Sequence, residues 1–191
     1  MAKSIFIFIS GFGATGKSTL GKIISEKFNI PNIGNDEIKE IIWSQIGWEH
    51  DKSEWDKVGK MAFEFTYYFV NASLSKGKSI IAEANFQPDK NNERLNELKQ
   101  KYGCKLLQIH CKADREVIVN RYKERLASED FHTGRKHAIK NIFGEEKFLS
   151  KIGIGSRVLD IEGETLEIDT SNPNTVNYEE IFKFIEKNIK E

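Results

Sequence analysis

The sequence predicts an α/β fold of three layers, with a mostly parallel five-stranded sheet between two layers of helices and a helical lid over one edge. Three observations predict it. Short β-rich runs alternate with longer helical ones along the chain. The short runs are mostly Ile, Leu and Phe with little polar alternation, as strands buried on both faces require. The 191 residues are enough for one sizeable core and short for two, so a single domain over 1–191 is expected.

Strands are expected at residues 4–9, 32–35, 79–83, 105–111 and 166–169, the second being the weakest pattern. Helices are expected at 17–28, 37–46, 55–74, 91–102, 115–127 and 178–188. Asp114 and Asn177 stand where helix N-caps belong, and Gly103 where a helix should stop. Residues 128–144 are polar, rich in His, Arg and Lys and weakly periodic, which reads as a mobile flap with short helical pieces: the lid. A hairpin within 158–168, turning at Glu162, Gly163 and Glu164, is a further expectation.

Composition narrows the function classes. Hydrophobic residues make up 39% and charged residues 30%, a water-soluble profile. Lys plus Arg and Asp plus Glu are both 29, so no positive excess calls for DNA or RNA. A nucleic-acid end as substrate is therefore disfavoured, although a local basic groove is compatible with neutrality. The apolar run Ile5, Phe6, Ile7, Phe8, Ile9 is far too short to span a bilayer and reads as a strand rather than a secretion signal. Cys104 and Cys111 lie seven apart in one expected strand, hence on opposite faces and out of disulfide reach. Reduced thiols and a cytoplasmic location are the expectation.

The strongest chemical signal follows the first strand. Gly11, Phe12, Gly13, Ala14, Thr15, Gly16, Lys17 and Ser18 match G-x-x-x-x-G-K-[ST] without a gap, between an apolar strand and an amphipathic helix. Glycines let the backbone turn tightly enough for successive N–H groups to converge on a phosphate, and the following helix adds its positive end. Lys17 is expected to bridge the β- and γ-phosphates of ATP, and the Ser18 hydroxyl to ligate Mg²⁺. No N-K-x-D, D-x-x-G or L-S-G-G-Q segment is present, which lowers the GTPase and transporter-ATPase readings.

The rest of the chain supplies candidates around that loop. Asp36 falls at the carboxyl end of the second strand, the crevice edge of an open α/β sheet. It is either the base that takes the proton of an attacking hydroxyl or the cap of the next helix. Lys39, one turn on, holds substrate or is simply solvated. Glu83 ends an apolar strand as a Walker B carboxylate does and is the candidate for the metal shell, against a plain surface Glu. Asn85 either contacts substrate or shapes the turn before Pro88.

Arg121 and Arg125, four apart on one helix, face the same way and suit a phosphoryl group in transit, unless they belong to a solvated face with Glu116, Lys123 and Glu124. Arg135 in the flap is placed to close over ATP. His132 and His137 flank it, a poor pattern for zinc. Trp43, Trp48 and Trp55, followed by Phe63, Phe65, Tyr67, Tyr68 and Phe69, form either core or an aromatic wall for a ring-bearing acceptor, with Glu49 and His50 beside it.

These residues together resemble the P-loop small-molecule kinases, the group that includes gluconate kinase, shikimate kinase, chloramphenicol phosphotransferase, zeta toxins and the kinase domain of polynucleotide kinase. The likeness runs over nearly the whole chain. It rests on G-F-G-A-T-G-K-S-T from Gly11 to Thr19, N-D-E-I-K from Asn35, I-I-A-E-A-N-F from Ile80, R-Y-K-E-R from Arg121 and I-D-T-S-N-P from Ile168. The resemblance implies that Asp36 is the base, that Arg121 and Arg125 stand at the root of a lid, and that adenine packs near the lid and the loop at 171–173. The sequence departs from the pattern in Glu83, where Asp is usual, and Lys39, where some members carry Arg. The implied activity is Mg-ATP-dependent phosphorylation of a hydroxyl on a small molecule such as a metabolite, drug or nucleoside. The alternative is a nucleotide-dependent switch with slow ATP hydrolysis.

Overall fold

The computed structural model describes residues 3–49, 51–152 and 157–190. Its elements, in chain order, are β1 (Ile5–Ser10), α1 (Lys17–Phe28), β2 (Asn32–Gly34), α2 (Asn35–Ile46), α3 (Lys52–Leu74), β3 (Ile80–Glu83), α4 (Pro88–Tyr102), β4 (Lys105–Lys112), α5 (Arg115–Ala127), α6 (Thr133–His137), α7 (Glu145–Ser150), β5 (Glu164–Asp169) and α8 (Tyr178–Lys190). The five strands form one sheet in the order β2-β3-β1-β4-β5, and every pairing is parallel.

Strand period decides how the two helical layers attach. Successive side chains alternate faces, so β1 sends Phe6 and Phe8 to one side, where Tyr67, Val70 and Leu74 of α3 and Leu95 and Leu98 of α4 pack on them. Ile5, Ile7 and Ile9 point the other way, onto Leu20 and Ile24 of α1 and Ile181 and Ile185 of α8. The same alternation separates the thiols: Cys104 joins the first cluster and Cys111 the second, both unbonded and buried. A third cluster, built on Ile118, Tyr122 and Leu126 of α5 with Ala14, Ile139 and Ile152, seats the lid beside the loop after β1.

Several expected boundaries move for identifiable reasons. β2 stops at Gly34 because Asn35 already belongs to α2, its buried amide donating to Thr66 Oγ1 at 3.1 Å. α3 starts at Lys52, since the Asp51 carboxylate caps it by accepting from the Glu54 N–H at 3.0 Å. α4 starts at Pro88, a residue suited to a first helical turn whose N–H has no partner anyway. Asp114 occupies the N-cap position of α5 without a side-chain cap bond, whereas Asn177 does cap α8, accepting from the Glu180 N–H at 3.1 Å. Gly103 ends α4 with φ 62°, the left-handed conformation. No hairpin forms within 158–168: the chain before β5 is irregular, and the Leu159 N–H is satisfied by the Gln108 side chain at 3.2 Å. The segment expected as the lid folds as α6 and a π-helical turn over Ala138–Ile142, and α7 follows it. Among the described residues no helix is long and apolar enough to cross a membrane.

Candidate active site

The loop between β1 and α1 lies at the carboxyl edge of the central strand, and its shape is dictated by close approaches. Gly11 has φ +133°, and a Cβ there would lie 2.2 Å from the Cys111 carbonyl oxygen of the neighbouring strand. A Cβ on Gly13 would meet the Tyr122 hydroxyl at 1.8 Å. Ala14 holds φ 62°. Within the loop the Thr15 hydroxyl and the Lys17 ammonium both donate to the Phe12 carbonyl, each at 2.8 Å. Lys17 is buried, and burial pulls its pKa below the ordinary lysine value against the opposing charges of Asp36 and Glu83.

Glu83, at the end of β3, is buried rather than at the surface. Its carboxylate lies beside the Ser18 hydroxyl, and its Oε1 is buried without a hydrogen-bond partner. Burial raises its pKa above the 4.5 usual for glutamate. An orphaned carboxylate oxygen beside a serine hydroxyl fits a magnesium site, with phosphate oxygens and water supplying the remaining ligands. Among the described residues no group of three or more His, Cys, Asp or Glu could hold a metal alone.

Asp36 sits in the first turn of α2. The N-cap position is Gly34, and the capping reading of Asp36 falls away. Its carboxylate is paired with Lys39 at 2.9 Å and with the Arg135 guanidinium from the lid. Arg135 reaches Glu40 as well, at 3.3 Å. Removal from bulk water would by itself push the Asp36 carboxyl up. The charges of Lys39, Arg135 and Lys17 outweigh that and hold it well below the usual carboxylate range. Lid and helix approach closely here: a Cβ on Gly134 would lie 3.0 Å from the Trp48 Cβ and 3.1 Å from the Trp43 ring.

The two arginines expected to act together line one cavity but are engaged differently. Arg121 donates to the Ala14 carbonyl at 3.1 Å, the Thr170 carbonyl at 2.7 Å and the Ser171 carbonyl at 3.3 Å, fastening the phosphate loop to the turn after β5. Arg125 is exposed and lines the phosphate cradle with Gly13, Ala14, Gly16, Lys17, Ser18 and Thr19. Two cavities meet at this cradle. One, of about 200 Å³, lies between Gly16, Thr19, Arg121, Arg125, Thr170 and Pro173. The other, of about 250 Å³, is bounded by Gly13, Lys17, Asp36, Lys39, Asn85 and Arg135 at its polar end and by aromatic rings elsewhere.

The aromatic run divides. Trp43 and Trp55 line the second cavity, Phe63 and Tyr67 pack in the core, and Phe65, Tyr68 and Phe69 are exposed on α3. Trp48 touches the lid through His132, whose ring accepts from the Gly134 N–H at 3.1 Å and serves to cap α6. His137 pairs with Asn141 at 3.0 Å. Glu49 is exposed, and His50 lies outside the described residues.

Three groups of site residues had no signal strong enough to single them out in the sequence. Tyr122 sets the room at Gly13, and the Thr170 hydroxyl ties β5 to the loop by donating to the Thr15 carbonyl at 2.8 Å. Phe143 of the lid and Phe148 of α7 complete the ring wall. Only the position of Thr170 at the end of the last strand hinted at such a role.

A P-loop at the crevice edge of an all-parallel sheet, covered by a helical lid, defines a nucleotide-binding α/β protein of the P-loop kinase type. The chain belongs to the AAA domain family, whose pattern residues 6–142 match. A protein of Chloroflexus aurantiacus described as a "putative kinase" superposes with a TM-score of 0.84 at 26% identity, over 100% of this chain and 98% of that one. A sugar kinase of Janibacter sp. superposes at 0.56 with 13% identity, over 90% and 87% of the two chains. A chain of the PezAT toxin-antitoxin system of Streptococcus pneumoniae gives 0.52 at 18%, over 76% and 64%. These last two speak for the fold alone. No curated protein matches the sequence.

Proposed function

We propose that this protein transfers the γ-phosphate of Mg-ATP to a hydroxyl of a small-molecule acceptor. The observation that carries the reading is the pair of cavities opening on one phosphate cradle. A protein that only bound or hydrolysed a nucleotide would need the first cavity. The second shares Gly13, Lys17, Asp36 and Arg135 with the cradle and gives an acceptor a place to lie.

In this reading the nucleotide occupies the cavity at Thr19, Arg121, Arg125 and Pro173, with its phosphates on the loop N–H groups and Lys17. Ser18 and Glu83 would hold magnesium, which would neutralise charge on the phosphate oxygens. Asp36 accepts a hydrogen bond from the acceptor hydroxyl and so aims its oxygen at the phosphorus. As the new O–P bond forms and the bond to the leaving ADP oxygen breaks, the proton passes to the Asp36 carboxylate. Arg125 and Arg135 offset the charge of the group in transit. The lid excludes water that would compete with the acceptor.

The test is release of ADP from Mg-ATP across a panel of alcohols, with phosphorus NMR to identify the product. Transfer that Lys17→Ala and Asp36→Asn each reduce by about a hundredfold or more is expected. Turnover by Asp36→Asn near that of the unmodified protein, with ATP binding intact, would remove Asp36 from the role of base. ADP release that no acceptor accelerates would favour a nucleotide switch.

A further inference from the structure

The second cavity carries information about what it takes. Five of its lining rings make an unbroken chain drawn from α2, α3, α5, the lid and α7. Trp43 stacks on Trp55 with centroids 4.5 Å apart and planes 22° apart. Trp55 meets Phe143 edge to face at 5.7 Å, Phe143 leans on Phe148 at 6.4 Å, and Phe148 meets Tyr122 edge to face at 4.9 Å. Trp43 is only 1% exposed, so it backs Trp55 from the core and holds that ring as a fixed platform.

The polar end is as informative. Among the described residues the cations that line the cavity are Lys17, Lys39 and Arg135. Lys17 belongs to the phosphate loop, and Lys39 and Arg135 are both engaged by Asp36, Arg135 also by Glu40. A carboxylate or phosphate on the acceptor would find each of these three cations already engaged, and it would face the charge of Asp36 at the same time. A polyol would bring many hydroxyl groups to a wall made mostly of ring carbon, which offers few hydrogen-bond partners, and most of them would be left desolvated. The volume of about 250 Å³ lies just below the usual range for a ligand pocket, which suits one ring system with short substituents.

We infer that the acceptor is a flat, ring-bearing alcohol without an acidic group, of the size of a nucleoside, that packs against the Trp55 platform with its hydroxyl at Asp36. This rests on the phosphotransfer reading and specifies its acceptor. Ring stacking supplies the affinity and Asp36 supplies the orientation.

The experiment compares two sets of alcohols under Mg-ATP: uridine, cytidine and pyridoxine against glucose, glycerol, gluconate and shikimate. Trp55→Ala and Trp55→Phe are run beside the unmodified protein. Binding is read by tryptophan fluorescence, transfer by ADP release, and ATP affinity by a fluorescent ATP analogue, which also verifies that each variant is folded. The expected result is transfer confined to the ring-bearing set. Trp55→Ala should raise KM by roughly ten- to a hundredfold, as loss of a stacking platform does, while Trp55→Phe recovers most of the loss and ATP affinity stays constant. Preferential transfer to a polyol or a sugar acid would overturn the inference and leave the phosphotransfer reading standing. So would a ring-bearing acceptor whose KM ignores Trp55→Ala. Ring compounds that bind in a Trp55-dependent way but are never phosphorylated would keep the cavity assignment and sink the phosphotransfer reading. Absence of both binding and transfer for all three ring compounds would overturn the inference.

Discussion

The approach of Tyr122 to Gly13 yields a perturbation whose outcome follows from distances. Gly13→Ala puts a methyl 1.8 Å from the Tyr122 hydroxyl oxygen and 3.0 Å from the ring carbon bearing it. Heavy atoms sit comfortably at about 3.5 Å, so the shortfall is about 1.7 Å against the hydroxyl and about 0.5 Å against the ring. The first cannot be absorbed by rotamer adjustment, because Tyr122 is packed in the third cluster with Ile118, Leu126 and Ile139. Either that packing opens or the phosphate loop moves. Overpacking of this kind costs about 1–3 kcal/mol, and at roughly 2–4 °C per kcal/mol for a chain of this size it is visible in a melting curve. Movement of the loop also takes N–H groups off the phosphate, so ATP affinity should fall tenfold or more. Adding Tyr122→Phe removes the worse overlap. The double variant should therefore recover part of both losses, with a coupling of about 0.5–3 kcal/mol, incomplete because a ring hydrogen replaces the hydroxyl. Gly11→Ala serves as the contrast: its Cβ meets backbone, the Cys111 carbonyl at 2.2 Å, and its φ of +133° is strained for any side chain, so no side-chain truncation should rescue it. ATP affinity in Gly13→Ala within twofold of the unmodified protein, or a double variant no better than Gly13→Ala alone, would refute the reasoning.

Three further outcomes are expected. Because burial raises the pKa of Glu83 and magnesium needs its ionised form, the Mg²⁺ requirement for ADP release should rise on acidification, at a higher pH than an ordinary glutamate would bring about. Glu83→Gln should bind the metal more weakly and show no such slope. Arg121→Ala removes a charged donor from two close backbone carbonyls and should lower stability by about 2–4 kcal/mol. It should weaken ATP binding more than it slows the chemical step, the reverse of what Arg125→Ala should do, with KM for ATP and kcat measured separately. Asp36 contributes stability above its unfolded value near 3.8 that is lost as pH falls through its depressed folded value. Asp36→Asn should thus melt earlier at pH 7, by no more than about 1 kcal/mol since the pair keeps solvent access, and the difference should close below about pH 4 in acid titrations followed by circular dichroism.

What was legible in the sequence follows the range of the interactions involved. The strand-loop-helix unit from Ile5 to Phe28 was readable because apolar run, glycines and amphipathic helix are contiguous. Asp36 and Glu83 were readable as strand-end carboxylates, since the carboxyl edge of a parallel sheet is one place. Their environments were not. Glu83 looks like any strand-terminal Glu until β2 and β1 close over it on either side. The lid was visible only as a polar, aperiodic stretch, because its helices are held by tertiary contacts with Trp43, Trp55 and Asp36 rather than by their own amphipathicity. Arg121 and Arg125 share a helix face by spacing, but spacing says nothing about carbonyls 49 and 107 residues away that claim one guanidinium and leave the other.

The strongly acidic character of Asp36 looks at first like a poor quality in a base. A carboxylate that holds its proton weakly cannot drive deprotonation of an alcohol before the phosphorus is attacked. Phosphoryl transfer does not ask for that: in a loose transition state little negative charge builds on the entering oxygen until the new bond is well formed, when the hydroxyl proton has become acidic. What matters earlier is direction. Lys39 and Arg135 hold the carboxylate on two sides while leaving it at the wall of the second cavity. Under the phosphotransfer reading, the same charges that depress its pKa would therefore fix where an acceptor hydroxyl points. Phosphates drawing on Lys17 and Arg135 weaken that restraint as they load the cradle, and the proton affinity of Asp36 rises with each positive charge withdrawn. Under the phosphotransfer reading the lid arginine would join two requirements in one side chain: it would screen the phosphoryl group, and by doing so return basicity to the Asp36 carboxylate.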